Sequence, residues 1–282
     1  MTLPSFICIG AQKSGTTWIH EALSLNPAVY LPARRKEVHF FDRYFDKGVG
    51  WYEAFFRGGA GRLCGEVTPA YLFDPEVPLR IHTVCPEAKL LVSLRDPVRR
   101  AYSHYRQLVA KAGERRSFMD VIDQVPEVFR RGLYHEQLSR YEEWFPREQV
   151  HILFFEDIVS KPQAVYGGIC SYLAVPVTSE REALPPPANE SSTYAQSAIA
   201  RIVNLGAIYL RRLRLDSAID FARPALAPLV TRRKKPGSAA GPSAEETAEL
   251  RDMYRADVTA LDADFGLGAA IIWRFDALNR AP

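Results

Sequence analysis

Phe6-Ile7-Cys8-Ile9-Gly10-Ala11-Gln12-Lys13-Ser14-Gly15-Thr16-Thr17-Trp18 is the stretch from which the rest of the chain is read. Phe6 to Ile9 is a short, unbroken apolar run of the kind that forms a strand buried on both faces. From Trp18 onward, Ile19, Ala22, Leu23 and Leu25 recur at helical spacing. Between them lies a loop bounded by Gly10 and Gly15. Strand, glycine-bounded loop and helix make a cradle for an anion, because glycine permits the tight turn and the first amides of a helix have no partner within it.

The loop departs from the G-x-x-x-x-G-K-[ST] pattern of nucleoside triphosphatases in one telling place. Gly10 and Gly15 have the right spacing and Thr17 holds the Ser/Thr position, but Thr16 stands where the lysine belongs and the lysine has moved inside the loop as Lys13. A phosphate-type ligand remains compatible with this arrangement, whereas a magnesium-dependent NTPase or kinase loses its central cation. Lys13-Ser14-Gly15-Thr16-Thr17 after an apolar strand resembles the 5′-phosphosulfate loop of sulfotransferases that use 3′-phosphoadenosine 5′-phosphosulfate (PAPS).

Working outward, Lys89 to Leu94 is the clearest further strand, with Arg95 at its carboxyl end, where open α/β sheets place ligands. Asp96-Pro97 starts a helix, Asp96 as its cap and Pro97 in its first turn, and Ser103 follows two turns in. Leu94-Arg95-Asp96-Pro97, then Arg100-Ala101-Tyr102-Ser103, resembles the family's 3′-phosphate site, which implies that Arg95 and Ser103 grip that phosphate; a planar guanidinium suits the task.

The segment Lys36-Glu37-Val38-His39-Phe40-Phe41 resembles a stretch of heparan-type sulfotransferases whose glutamate is the catalytic base, with Val38 where the family often has proline. The resemblance implies Glu37 as base and His39 as its partner or substitute. On an extended loop the two would share a side, because side chains alternate with period two. Gly65-Glu66-Val67-Thr68-Pro69-Ala70-Tyr71 also resembles the family. Glu66 is either a second carboxylate on the wall of the acceptor site or a buried hydrogen-bonded one, and the wall position is favoured. Lys36 joins it as an acceptor-site candidate.

Helical or extended patterns then alternate: a helix from Gly48 to Phe56, a strand at 63–67, a helix from Asp74 towards Val84, a helix from Phe118 to Phe129, another from Gly132, a strand at 150–155 and a helix around Val165 to Leu173. A proline-rich break at 185–187 opens a stretch to 241 read as two helices and a basic Gly/Pro/Ser loop. The helices either cover the acceptor site, touch a membrane surface or pack on the core, packing being the default, and the segment is taken as an insertion covering the site. Within it Lys234, Lys235 and Gly237 are candidates for the late basic loop that in sulfotransferases closes over the nucleotide. Glu245 to Phe265 reads as a last helix, and its pattern through Trp273 resembles the family's usual C-terminus.

The resemblance spans nearly the whole chain. It implies one α/β domain over residues 1–282, with a central parallel sheet of P-loop-like type flanked by helices and a helical C-terminal segment. The implied reaction is sulfuryl transfer from PAPS to a hydroxyl or amine of a carbohydrate or small molecule, releasing adenosine 3′,5′-bisphosphate (PAP). Lys13 would stabilise charge on the bridging oxygen, while Gln12, Ser14, Gly15, Thr16, Thr17 and Trp18 complete the cofactor loop. A nucleotide kinase and a catalytically silent nucleotide-binding protein are the alternatives.

Composition bounds these readings. The 282 residues carry a net charge of +3 with 24% charged residues, too small a bias to make nucleic acid the main partner. Cys8, Cys64, Cys85 and Cys170 are scattered, without metal or disulfide spacing. No metal is expected, and a reducing compartment is. With no apolar run of about 18 residues and a first strand close to Met1, the expectation is a cytoplasmic, bacterial protein without a membrane span, peripheral contact with a membrane and the oligomeric state being left open.

Overall fold

In a computed structural model, residues 2–33, 35–177, 184–186 and 241–275 are described. The two helices expected between 195 and 230, and the candidates Lys234, Lys235 and Gly237, lie outside them.

The elements run β1 (Phe6–Gly10), α1 (Thr16–Ser24), β2 (Val29–Tyr30), α2 (Phe40–Arg43), α3 (Val49–Glu53), β3 (Leu63–Val67), α4 (Val77–Val84), β4 (Lys89–Leu94), α5 (Pro97–Ala112), α6 (Phe118–Gln124), α7 (Pro126–Arg130), α8 (Tyr134–Glu142), β5 (Val150–Phe154), α9 (Phe155–Ser160), α10 (Pro162–Leu173), α11 (Ala244–Phe265) and α12 (Ala269–Ile272). The strands form one five-stranded sheet in the order β2-β3-β1-β4-β5, and every pairing is parallel. A parallel sheet needs helical crossovers that cover both faces, which is why β1 reads as an uninterrupted apolar run. Its alternate residues serve different cores. Ile7 and Ile9 pack with Leu90, Val92 and the helices of one face. Phe6 and Cys8 pack with Leu91, Trp18, Ile19 and Ile169 on the other.

Strand order fixes the position of the site. The chain leaves β1 towards β2 at one edge and, after returning through β3, crosses to β4 and β5 on the other side. The carboxyl ends of β1 and β4 therefore flank a crevice at the point where the winding reverses, the usual place for a ligand in an open α/β sheet. The Gly10–Gly15 loop and Arg95 stand at those two ends.

Several sequence-based elements are reshaped. The helix expected over Phe118–Phe129 is two helices, because Pro126 lacks an amide hydrogen and its ring clashes with the preceding turn. The helix expected from Gly48 to Phe56 stops at Glu53. Its aromatics still form core, Tyr52 and Phe56 being fully buried. Phe155 leaves the strand and begins α9, taking Glu156 and Asp157 into a first helical turn, where acidic residues complement the helix dipole.

Candidate active site

The cradle is built mainly from backbone. Gly15 is the N-cap of α1, with φ of 89° and no side chain capping the first turn, so the amides of that turn are left for a ligand. A Cβ at Gly15 would lie 2.8 Å from Phe155 Cδ2, so both the left-handed backbone and the close approach require glycine. Lys13 also has a positive φ, 74°. The loop is pinned to β4: Ala11 N donates to the Ser93 carbonyl (2.8 Å), Ser93 Oγ donates to the Ser14 carbonyl, and Arg95 Nη1 donates to the Lys13 carbonyl (3.2 Å).

Arg95 lies 4.3 Å above the Phe155 ring, and Tyr134 Oη donates to its carbonyl (2.8 Å). Burial pulls its pKa down, against the raising influence of Glu156. A desolvated guanidinium of this kind gains from a nearby anion. Its Nε has no acceptor among the described residues, and neither does the buried Gln12 Oε1 have a donor. Open first-turn amides, an orphaned guanidinium nitrogen and a glycine-only turn together fit a nucleotide phosphate group.

Asp96 caps α5 as expected, accepting from Val98 N (2.9 Å) and Arg99 N (3.2 Å). Its own amide donates to Glu156 Oε1 (3.1 Å), and Trp273 Nε1 donates to Glu156 Oε2 (3.3 Å). Arg251 of α11 pairs with Asp96 at 3.7 Å. The C-terminal residues thus brace the Arg95–Asp96 turn. Ser103 is half-buried on α5.

Ser14, Thr16 and Trp18 are buried. The Trp18 ring packs in the core and its indole nitrogen donates to the Pro185 carbonyl (2.8 Å), which holds α1 in place beside the loop. Thr17 is exposed and accepts from Lys36 Nζ (2.7 Å). That bond ties the cofactor loop to the segment carrying Glu37.

In that segment the backbone is not extended at His39. His39 has φ of 57° and caps α2, yet its ring still meets Glu37. Its Nε2 lies 3.3 Å from Glu37 Oε2 and its Nδ1 lies 2.9 Å from Asp42 Oδ2. Burial acts to lower the His39 pKa, but the bonds to Asp42 and Glu37 outweigh it and the net shift is upward. An imidazolium satisfies both carboxylates at once, since each ring nitrogen then donates. Along this chain of three, Glu37 is the outermost, its side chain 41% exposed against 15% for His39 and 8% for Asp42. Asp42 escaped the sequence reading, although its position three residues after His39, at the start of a helix, was the available signal. Phe155 gave no local signal.

Glu66 differs from the expectation of a wall position. It is fully buried, accepting from Thr68 Oγ1 (2.7 Å), Tyr52 Oη and Tyr71 Oη. Burial raises its pKa to about 7 despite these three donors. The four cysteines are free and buried, with burial raising the pKa of each thiol. Among the described residues there is no group of three His, Cys, Asp or Glu able to hold a metal ion, and no helix is long and apolar enough to cross a membrane.

Fold and site together define a parallel α/β protein with an anion cradle at the carboxyl end of its sheet and a carboxylate–imidazole–carboxylate chain beside it. The sulfotransferase domain family matches residues 3–185, and the chain belongs to that family. It is 34% identical over 181 residues to heparan sulfate glucosamine 3-O-sulfotransferase 6 of Mus musculus, a match covering 61% of this chain and 52% of that protein. To human heparan sulfate glucosamine 3-O-sulfotransferase 3B1 it is 33% identical over 183 residues, 61% of this chain and 46% of that one. The chain thus spans about half the length of the curated relatives it matches. Among solved structures, a sulfotransferase from Alicyclobacillus acidocaldarius shares the fold, with a TM-score of 0.67 at 24% identity, over 97% of this chain and 100% of that one.

Proposed function

We propose that the protein transfers a sulfuryl group from PAPS to a hydroxyl of a carbohydrate or small-molecule acceptor. The observation that carries this reading is the Lys36–Thr17 bond, which sets the Glu37–His39–Asp42 chain beside a phosphate loop whose lysine is displaced to Lys13. Bound PAPS would supply the activated sulfuryl group and a good leaving phosphate. The first-turn amides of α1, with Thr16 and Thr17, hold the 5′-phosphate end, and Arg95 and Ser103 hold the 3′-phosphate. Lys13 meets the charge that grows on the bridging oxygen as its bond to sulfur breaks, an interaction strongest in the transition state. A sulfuryl group bears less charge than a terminal phosphoryl group, so a lysine and backbone dipoles suffice to neutralise it.

Glu37 takes the proton from the attacking hydroxyl. It is the solvent-facing member of its chain, while His39, held by Asp42, orients it. The relatives' names specify an oxygen of a glucosamine, which favours a hydroxyl over an amine. A nucleotide kinase is disfavoured by Thr16 at the lysine position.

Calorimetry tests the donor. PAP is expected to bind at least tenfold more tightly than ADP, because only PAP presents a 3′-phosphate to Arg95; equal affinities would remove the 3′-phosphate assignment and with it the case for PAPS.

A further inference from the structure

We infer that Glu66 is a positioning residue, which aims Glu37 and His39 through the hydroxyls of Thr68 and Tyr71. The inference rests on the reading of Glu37 and His39 as the proton-transfer pair.

His39 holds a left-handed backbone, sparsely populated by residues other than glycine, and such a conformation persists where its surroundings over-determine it. Here the amides on either side of it are fastened. Val38 N donates to Thr68 Oγ1 (3.0 Å) and Phe40 N donates to Tyr71 Oη (2.8 Å). Each hydroxyl in turn gives its own proton to Glu66: Thr68 at 2.7 Å to Oε2, Tyr71 at 3.2 and 3.3 Å to the two oxygens. A hydroxyl has one proton and two lone pairs. When Glu66 is ionised both protons are committed to its oxygens, and the lone pairs face the Val38 and Phe40 amides. Glu66 therefore sets the direction of both relays.

The rings on this carboxylate reinforce the hold. Tyr52, the third donor, stacks on Phe40 with centroids 4.3 Å apart, and Tyr71 meets Phe41 edge-on at 5.5 Å. Tyr71 is itself fixed through its carbonyl by Tyr141 Oη (2.9 Å). Thr68 and Tyr71 follow directly from β3 and run beside β1, Thr68 N donating to the Cys8 carbonyl and Leu72 N to the Ile9 carbonyl. The base-bearing segment is thus referenced to the same central strand that carries the cofactor loop. A misplacement of about 1 Å can cost roughly a hundredfold in rate, so a shared reference frame for the two halves of the site has a direct catalytic use.

Thr68→Val keeps the side chain's shape and removes one relay; Thr68→Ser keeps the hydroxyl; Tyr71→Phe removes the other relay. For Thr68→Val and Tyr71→Phe, kcat at saturating PAPS is expected to fall about tenfold or more, with PAP affinity within about twofold of the parent. Thr68→Ser should restore most of the rate. The imidazole titration of His39, followed by NMR, should move down towards about 6.5 in the valine and phenylalanine variants as its pairs with Glu37 and Asp42 loosen. The NMR readout does not depend on which group is the base, so near-normal turnover of Glu37→Gln would remove the base assignment without deciding this one. Folded Thr68→Val and Tyr71→Phe proteins with unchanged kcat and unchanged His39 titration would overturn the positioning role. So would loss of folding in both, since the hydroxyls would then serve the core and not the aim of the pair.

Discussion

The cofactor cradle and the base-bearing segment are neighbours joined by the Lys36–Thr17 bond, yet they are built on opposite plans. The cradle is a run of consecutive backbone, its geometry fixed by Gly15 and by bonds to β4, and its field is cationic. Burial drives the pKa of nearby His104 down to about 3, and Arg100, Arg131 and Lys13 add to it. The base-bearing segment is a set of side-chain relays reaching β3, and there the bonds to Asp42 and Glu37 push His39 the other way, upward against its burial, while burial, with the segment's Lys36 adding to it, lowers His20 to about 4. Two histidines in one active-site region are thus displaced in opposite directions. On the proposed reaction the raised His39 pair is the proton-transfer side and the cradle is the donor side.

The sharpest way to break the contrast is at its two reactive ends. Glu37→Gln removes the proton acceptor and should lower kcat by about 10²–10⁴-fold, with PAP affinity kept. Lys13→Ala should likewise reduce turnover more than PAPS binding, because the charge it meets grows in the transition state. Single-turnover assays beside PAP calorimetry separate these effects. If His39→Ala abolishes turnover while Glu37→Gln leaves it near normal, base and orienting partner exchange roles. A Lys13→Ala enzyme that binds PAPS weakly but turns over normally at saturation would reduce Lys13 to a binding group.

A smaller effect sharpens the cradle side alone. Arg95 already spends one nitrogen on the Lys13 carbonyl and keeps Nε without an acceptor among the described residues. Arg95→Ala should weaken PAP by about tenfold to a hundredfold, the loss expected for one charged hydrogen-bond partner of roughly 1.5–3 kcal/mol. Adenosine 5′-phosphosulfate, lacking the 3′-phosphate, should be affected much less. Equal losses for both ligands would mean that Arg95 acts only by holding the loop.

The same contrast explains what was legible in the sequence. The cradle's parts are consecutive or stand at a strand end: an apolar run, two glycines, a lysine, an arginine before Asp-Pro. Each signal is local and survives being read one residue at a time. Glu37 and His39 were legible by resemblance, but the alternation rule supplied the wrong geometry, since a left-handed residue, not an extended loop, brings them together. For Glu66 the sequence leaves both a wall and a buried position open and favours the wall, whereas it is buried: its donors Tyr52, Thr68 and Tyr71 converge from two segments, and convergence leaves no local pattern. Helical periodicity puts Trp18 on the same apolar face as Ile19 and Ala22, and its ring packs in the core there.

The smallest expected effect concerns stability, and it follows from the sign of the histidine shift on the cradle side. Burial, with Arg100, Arg131 and Lys13 adding to it, puts the His104 pKa at about 3 in the folded protein against about 6.5 in an unfolded chain. As pH falls below about 6.5, the unfolded chain takes up a proton that the native protein refuses. The stability linked to this group is therefore complete above about 6.5 and is lost progressively as pH falls towards 3. The whole-protein curve cannot isolate this, because Glu66, raised to about 7, contributes with the opposite sign: its linked stability is present below about 4.5 and lost as pH rises through 7. A difference measurement separates them. His104→Asn removes only the histidine's linkage, so its Tm should decline less than the parent's between pH 7 and pH 5, whatever constant offset the lost packing introduces. Parallel Tm-against-pH curves for the two proteins would mean that His104 is as free to protonate in the folded state as in the unfolded one.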